Sequence, residues 1–313
     1  MKSRNKKYLW LFLLLLLGIG VCASTTYGAP PIPSNIPSIA PTPTAKELIQ
    51  GTTQTRSADG MIMVYVPPGE FLMGSDEADG TKLGVRIYDN EFPKHEVAVS
   101  GFWIDQTEIT NAQYDLCFQD GHCSAPKDFS SRRRDSYYGD PAFADYPVIN
   151  VTWYQAVAYC TWAGARLPKE PEWAFAARGP DSLYYPWGNV FDTPLANYCD
   201  ASCDMSHPDP SMDDGFPDTS PVGNYPAGAS WVGALDLLGN VWEWNWDWHK
   251  LYEGHEWLEH PNNQSQEDYR LLRGGSWDTT WGHARSSFRN WYLPDQYENS
   301  IGFRCAQDFI INE

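Results

Sequence analysis

The sequence contains no Cys-x-x-Cys pair, and no cysteine at all lies between Cys203 and Cys305. The first absence argues against a cysteine-built metal site. Basic residues are also scarce, with 22 Lys and Arg against 40 Asp and Glu, for a formal net charge of −18. Phosphate backbones need a basic patch, so nucleic acid is excluded as a partner. After the first two dozen residues no second apolar run is long enough to span a bilayer, and no internal repeat is visible.

What is present begins with an export signal at residues 1–23. Lys2, Arg4, Lys6 and Lys7 form a basic stretch ahead of an apolar run from Leu9 to Val21. Val21-Cys22-Ala23 offers a small-residue cleavage site before Ser24; an uncleaved anchor and lipidation at Cys22 are the alternatives. Either way the protein is expected outside the cell or in the cell envelope, attached to a membrane only through this segment. Losing the four basic residues would make the net charge more negative by four. Residues 24–60 hold six prolines between Pro30 and Pro43 amid Ser, Thr and Ala, a composition too poor in apolar surface to fold. They read as an extended linker ahead of one domain over 61–308.

Six cysteines lie beyond the signal, and an even number in an exported chain predicts three disulfides. Fifteen pairings are possible. Spacing favours the short loops Cys117–Cys123 and Cys199–Cys203, leaving Cys160 to reach Cys305. Met61 to Ser75 reads as two strands broken at Pro67-Pro68-Gly69, and His95 to Ile104 as another strand. Thr110 with Gln113, and Thr152 with Gln155, form capping boxes that start helices. On the second helix Trp153, Ala156, Val157 and Cys160 share a face. Pro171 suits the first turn of a helix ending at Gly179. Loops, turns and short strands follow. The class is α+β, irregular and low in regular structure.

The segments "VPPGEFLMGS", "FWIDQTEITNAQY", "PVINVTWYQAVAYCTWAGARLPKEPEWAFAARG", "YPWGN", "LDLLGNVWEWNWDW", "LRGGSW" and "IGFRCA" follow one another in this order. Together they resemble the sulfatase-modifying factor family, whose founding activity is the formylglycine-generating enzyme. The resemblance implies that family's variant of the C-type lectin fold. It also implies two structural calcium sites. One would use the side chains of Asn197 and Asp214 with the carbonyls of Tyr198 and Phe216. The other would use the side chains of Asp236 and Glu243 with the carbonyls of Gly239 and Val241. Such all-oxygen sets suit a hard cation.

Catalytic members place two cysteines after the Gly-Gly-Ser turn and hold copper through their thiolates, which Cu(I) selects. Here those positions are Thr279 and Ala284, so copper is not expected. A second metal candidate, His249 to His260, begins a zincin-like pattern at His255-Glu256. It has Glu259 where the next ligand belongs, and His255 and His260 would sit about 140° apart on a helix. An exposed loop is the better reading. The Gly274 to Pro294 segment keeps Trp277, Trp281, His283, Arg285, Arg289 and Trp291, a groove of rings and guanidinium forks suited to peptide or glycan. Against this, Arg285, Arg289 and Arg304 would also serve as buried partners of carboxylates such as Glu108 or Glu172. Sequons occur at Asn150 and Asn263.

The expected function is a calcium-stabilised, exported member of this family acting as a ligand-binding or accessory module for a peptide, glycan or modifying enzyme. The rival is an oxidoreductase of the same family, a formylglycine-generating oxidase or an oxygenase using other metal ligands.

Overall fold

The computed structural model describes residues 48–205, 207–253 and 268–309. The export signal and most of the linker lie outside them, as do the His255 to His260 stretch and Asn263. Among the described residues, ten strands form three sheets, and four α-helices accompany them.

The first sheet runs β1 (Thr53–Thr55), β2 (Ile62–Val66), β5 (Phe102–Asp105) and β10 (Ala306–Asp308), all antiparallel. The folded part therefore begins before residue 61, where the linker was expected to end. Its early residues are held by more than β1: Arg56 is buried and pairs with Asp59 and Asp105. A linker reading from composition misses this, because one buried guanidinium is invisible in a Ser- and Thr-rich stretch.

The second sheet is a hairpin of β3 (Gly69–Met73) and β4 (His95–Val99). The Pro-Pro-Gly break falls where expected, between β2 and β3. The predicted strand from His95 to Ile104 is two strands; the chain leaves the hairpin at Ser100-Gly101 and enters the first sheet at Phe102. The third sheet has the order β8 (Asn290–Tyr292), β7 (Arg270–Arg273), β6 (Trp242–Trp248) and β9 (Ile301–Gly302), with β9 parallel to β6.

Helix α1 (Glu77–Leu83) is capped by Asp76. Helices α2 (Asn111–Gln119) and α3 (Trp153–Trp162) both begin with the expected capping boxes, Thr110 with Gln113 and Thr152 with Gln155. On α3, Trp153, Ala156 and Cys160 enter the main core, with Val157 packed at its edge. Helix α4 (Glu170–Arg178) carries Pro171 in its first turn and stops at Gly179, whose φ is +65°. Alanines and Trp173 let α4 lie in a second core with β2, β3 and β5.

Disulfides join Cys117 to Cys123, Cys160 to Cys305 and Cys199 to Cys203. The Cys160–Cys305 bridge ties α3 to the segment between β9 and β10. Among the described residues no helix is long and apolar enough to cross a membrane. Asn150 is buried, its amide donating to the Ser130 carbonyl, so that sequon is not presented to solvent.

Candidate functional site: an aromatic cleft on a sheet face

At the end of β7 the chain turns through Gly274 and Gly275, with φ of +96° and +77°. A Cβ on Gly274 would stand 3.2 Å from the Trp173 ring, and one on Gly275 would stand 3.3 Å from the Thr279 side chain. Both crowding and backbone sign therefore require glycine. The turn closes when the Ser276 N–H donates to Thr279 Oγ1 at 2.9 Å.

Beyond this turn, Trp277 through Thr280 and His283 wall a cleft of about 700 Å³. Its floor is one face of the third sheet, with Trp242 from β6, Leu272 from β7, Asn290 and Tyr292 from β8, and Ile301 from β9. The rings of Trp242, Trp277, Phe288 and Tyr292 line the cleft together with Asp278 and Glu298. Burial raises the Asp278 carboxyl above its ordinary value, partly offset by the hydrogen bond from Ser276. Glu298 accepts from the Tyr292 hydroxyl at 2.6 Å. Burial lowers His283 below the ordinary imidazole value, and the neighbouring Arg285 charge adds to this. Its ring is held by the Tyr88 hydroxyl at 2.7 Å and the Thr280 hydroxyl at 3.1 Å.

The two positions where copper thiolates would be needed have no such chemistry. Thr279 lies in the cleft wall with its hydroxyl committed to the turn. Ala284 is buried in an apolar cluster with Tyr185, Ala196 and Leu238.

The groove expected from the sequence is not one surface. Trp277 and His283 line the cleft, and Trp281 is exposed at 46%. Arg285 is withdrawn from any groove: it is 1% exposed and pairs with Glu91, Nη2 reaching Oε1 at 2.9 Å. Arg289 is as deeply buried and grips Glu170 through Nε at 2.6 Å and Nη2 at 3.0 Å. Arg304 holds Glu243 in the same forked way. Burial acts against the charge of Arg289 and Arg304, and their carboxylates more than restore it. These are the buried ion pairs anticipated as the alternative, with different partners: Glu91, Glu170 and Glu243 rather than Glu108 or Glu172. Glu172 instead pairs with Arg166.

His283, Arg289 and Trp291 meet in a second, smaller cavity of about 410 Å³, whose other walls include Tyr88 and Phe288. His283 stands between the two cavities. Tyr88 and Phe288 were not singled out in the sequence, since nothing local marks a loop tyrosine 195 residues from His283 as its partner.

Of the residues expected around calcium, Asn197, Tyr198, Asp236, Gly239, Val241 and Glu243 are buried and Asp214 and Phe216 half-buried. All three carboxylates are already engaged, Asp236 by the Gly223 N–H. Both oxygens of Glu243 accept hydrogen bonds, from Arg304 and from Trp173. Both oxygens of Asp214 accept as well, from the Phe216 N–H and the Tyr225 hydroxyl; burial raises that carboxyl to about 6. Two other groups have no donor: Asn197 Oδ1, and both carboxylate oxygens of Glu108, which is fully buried. Burial and the Asp236 charge drive the Glu108 carboxyl well above its ordinary value. Glu108 is therefore held as an acid, and no arginine is hydrogen-bonded to it, unlike the expected arginine pairing. Among the described residues no three His, Cys, Asp or Glu side chains are grouped to hold a metal by themselves. In the His249 to His260 candidate, only His249 to Glu253 are described, and His249 is buried with its ring stacked 4.4 Å from that of Trp291.

Residues 47–309 match the sulfatase-modifying factor enzyme 1-like domain, and the chain belongs to that family. The bovine inactive C-alpha-formylglycine-generating enzyme 2 is 31% identical over 86% of this chain and 96% of its own length. The serine/threonine-protein kinase Pkn1 of Chlamydia trachomatis is 34% identical over 79% of this chain, which spans 38% of that relative's length. Among solved structures, PvdO from Pseudomonas aeruginosa superposes with a TM-score of 0.65 at 24% identity, covering 84% of this chain and all of that one. The fold is the formylglycine-generating-enzyme variant of the C-type lectin fold, mixing helices and sheets as expected.

Proposed function

We propose that this protein is an exported, calcium-stabilised binding module that takes an extended peptide in the aromatic cleft and carries out no copper-dependent oxidation. The observation that carries this reading is the pair Thr279 and Ala284. A hydroxyl locked to its own turn and a buried methyl supply no ligand for a soft metal ion. Peptide is favoured over glycan because the Asp278 and Glu298 carboxyls stand among the rings of Trp242, Trp277, Phe288 and Tyr292, a set suited to the basic and apolar side chains of an extended peptide. Export is supported by the basic and apolar N-terminal pattern and by three disulfides, which persist in oxidising compartments.

Calcium is supported by Glu108 and Asn197. A fully buried carboxylate without a donor, beside Asp236 and Glu243 and with one guanidinium among the three acids, is short of positive charge. Glu108, Asp236 and nearby carbonyls would hold one ion; Asn197 and Asp214 would belong to the other.

The test uses the purified protein with a sulfatase-type cysteine peptide, copper and oxygen, read by mass spectrometry. The peptide mass should not change. Conversion of cysteine to formylglycine sinks the proposal. In the same preparation, calcium should raise Tm and Glu108→Gln should abolish at least half of that rise; an equal rise in the variant removes Glu108 from the site.

A further inference from the structure

The second cavity has a chemistry of its own. Its walls are rings: Tyr88 and Phe288 meet edge to face at 5.5 Å, His283 lies 4.9 Å from Phe288, and Trp291 is backed by His249. These half-buried rings are held in place, because the Tyr88 hydroxyl is bonded to His283 at 2.7 Å and the backbone under Trp291 belongs to β8. The floor holds Asn90, 3% exposed, whose Oδ1 receives no hydrogen bond while its amide donates to the Arg289 carbonyl at 3.2 Å. Arg289 also lines the cavity, but its guanidinium is consumed by Glu170, by the Asn90 carbonyl at 2.6 Å and by the Lys250 carbonyl at 2.9 Å. It therefore stiffens the floor and has little left to offer a ligand.

Charge enters only from the rim. Arg86 and Asp89 both line the cavity and are both exposed. Arg86 lies over the Tyr88 ring, its guanidinium carbon 4.9 Å from the centroid. A cation and an anion thus stand three residues apart beside a ring-walled pocket of about 410 Å³, within the range of small-molecule sites.

We propose that this cavity binds a small zwitterionic aromatic molecule, an aromatic amino acid. Its ring packs among Tyr88, Phe288 and Trp291, its carboxylate pairs with Arg86 and its ammonium with Asp89. The cavity shares a wall of His283, Phe288 and Asn290 with the peptide cleft, but Arg86 and Asp89 lie outside that cleft, and neither reading requires the other. Each half of the ligand has its own determinant: ring contacts supply burial, and the paired charges select a molecule bearing both signs.

The experiment is isothermal titration of the full protein with L-phenylalanine, phenethylamine and 3-phenylpropionate. L-Phenylalanine should bind saturably with one site, and each single-charge analogue at least tenfold more weakly. Arg86 is exposed, so Arg86→Ala should fold normally. It should weaken L-phenylalanine about tenfold and leave phenethylamine unchanged; Asp89→Asn should do the reverse, weakening L-phenylalanine and sparing phenylpropionate. Glu298→Gln, an exposed position of the other cleft, should have no effect on any of the three. No saturable binding at millimolar ligand overturns the proposal. So does L-phenylalanine binding that is indifferent to Arg86→Ala and Asp89→Asn, or binding abolished by Glu298→Gln. Loss of peptide binding in the cleft with this titration intact would overturn only the function proposed above.

Discussion

Arg285, Arg289 and Arg304 each keep a charge in the interior because a carboxylate from a distant part of the chain meets it. The separations are 194 residues to Glu91, 119 to Glu170 and 61 to Glu243. Removing one member of such a pair strands the other without water, at a cost of roughly 3–5 kcal/mol. Arg285→Ala should therefore lower stability by about that amount in urea unfolding. If Arg285 instead served a ligand, the variant would unfold normally and only binding would suffer. Asp105 shows the same balance with the opposite sign. Burial raises its carboxyl to about 6, although Arg56 and the Cys305 N–H pull it down; Asp59 nearby pushes it up again. A folded value above the unfolded one means that the native chain binds more protons in this range. The contribution of Asp105 is complete below about pH 4 and is lost as pH rises through about 6. Plotted against pH, the stability of Asp105→Asn relative to the parent should rise across that window. Parallel curves would show that Asp105 does not titrate there.

Elements with local signals were legible in the sequence. A Thr-x-x-Gln box fixes the start of α3 within four residues, whatever the rest of the chain does. Thr152→Ala should cost about 1 kcal/mol by losing that cap, measured by thermal unfolding, with Thr161→Ala near the exposed end of the same helix as the neutral control. Elements shaped by tertiary packing were harder to see. Strand β6 reads Trp-Glu-Trp-Asn-Trp-Asp-Trp, and its Glu243 and Asn245 are as buried as Trp244. The sequence alternates apolar and polar strictly, yet burial does not follow it, since Trp246 and Trp248 are exposed while Glu243 and Asn245 are inside; its burial was therefore not legible from the pattern. The cleft was legible as a segment and not as a surface. The Gly-Gly turn, the tryptophans and the missing thiolates are all contiguous, whereas the division into two cavities depends on Tyr88, which comes from the loop after α1.

At the scale of the whole molecule, the described residues form three small sheets and four α-helices joined by loops, so cross-links carry much of the organisation. Cys160 and Cys305 are 145 residues apart in sequence, the widest of the three closures. Replacing both by alanine should remove on the order of 4–5 kcal/mol in the chain-entropy model, read as a lower midpoint in urea. Removing Cys199–Cys203, which spans 4 residues, should matter much less. The wide closure also changes what damage means for this protein. Val190 is 78% exposed on a loop inside the span, an open target for a protease. A cut there would leave Cys160 on one fragment and Cys305 on the other, still covalently joined. Nicked protein should run as a single full-mass species on a denaturing gel without reductant and split into two bands once thiol is added. Outside a cell, wear of this kind would stay hidden until the molecule met a reducing environment.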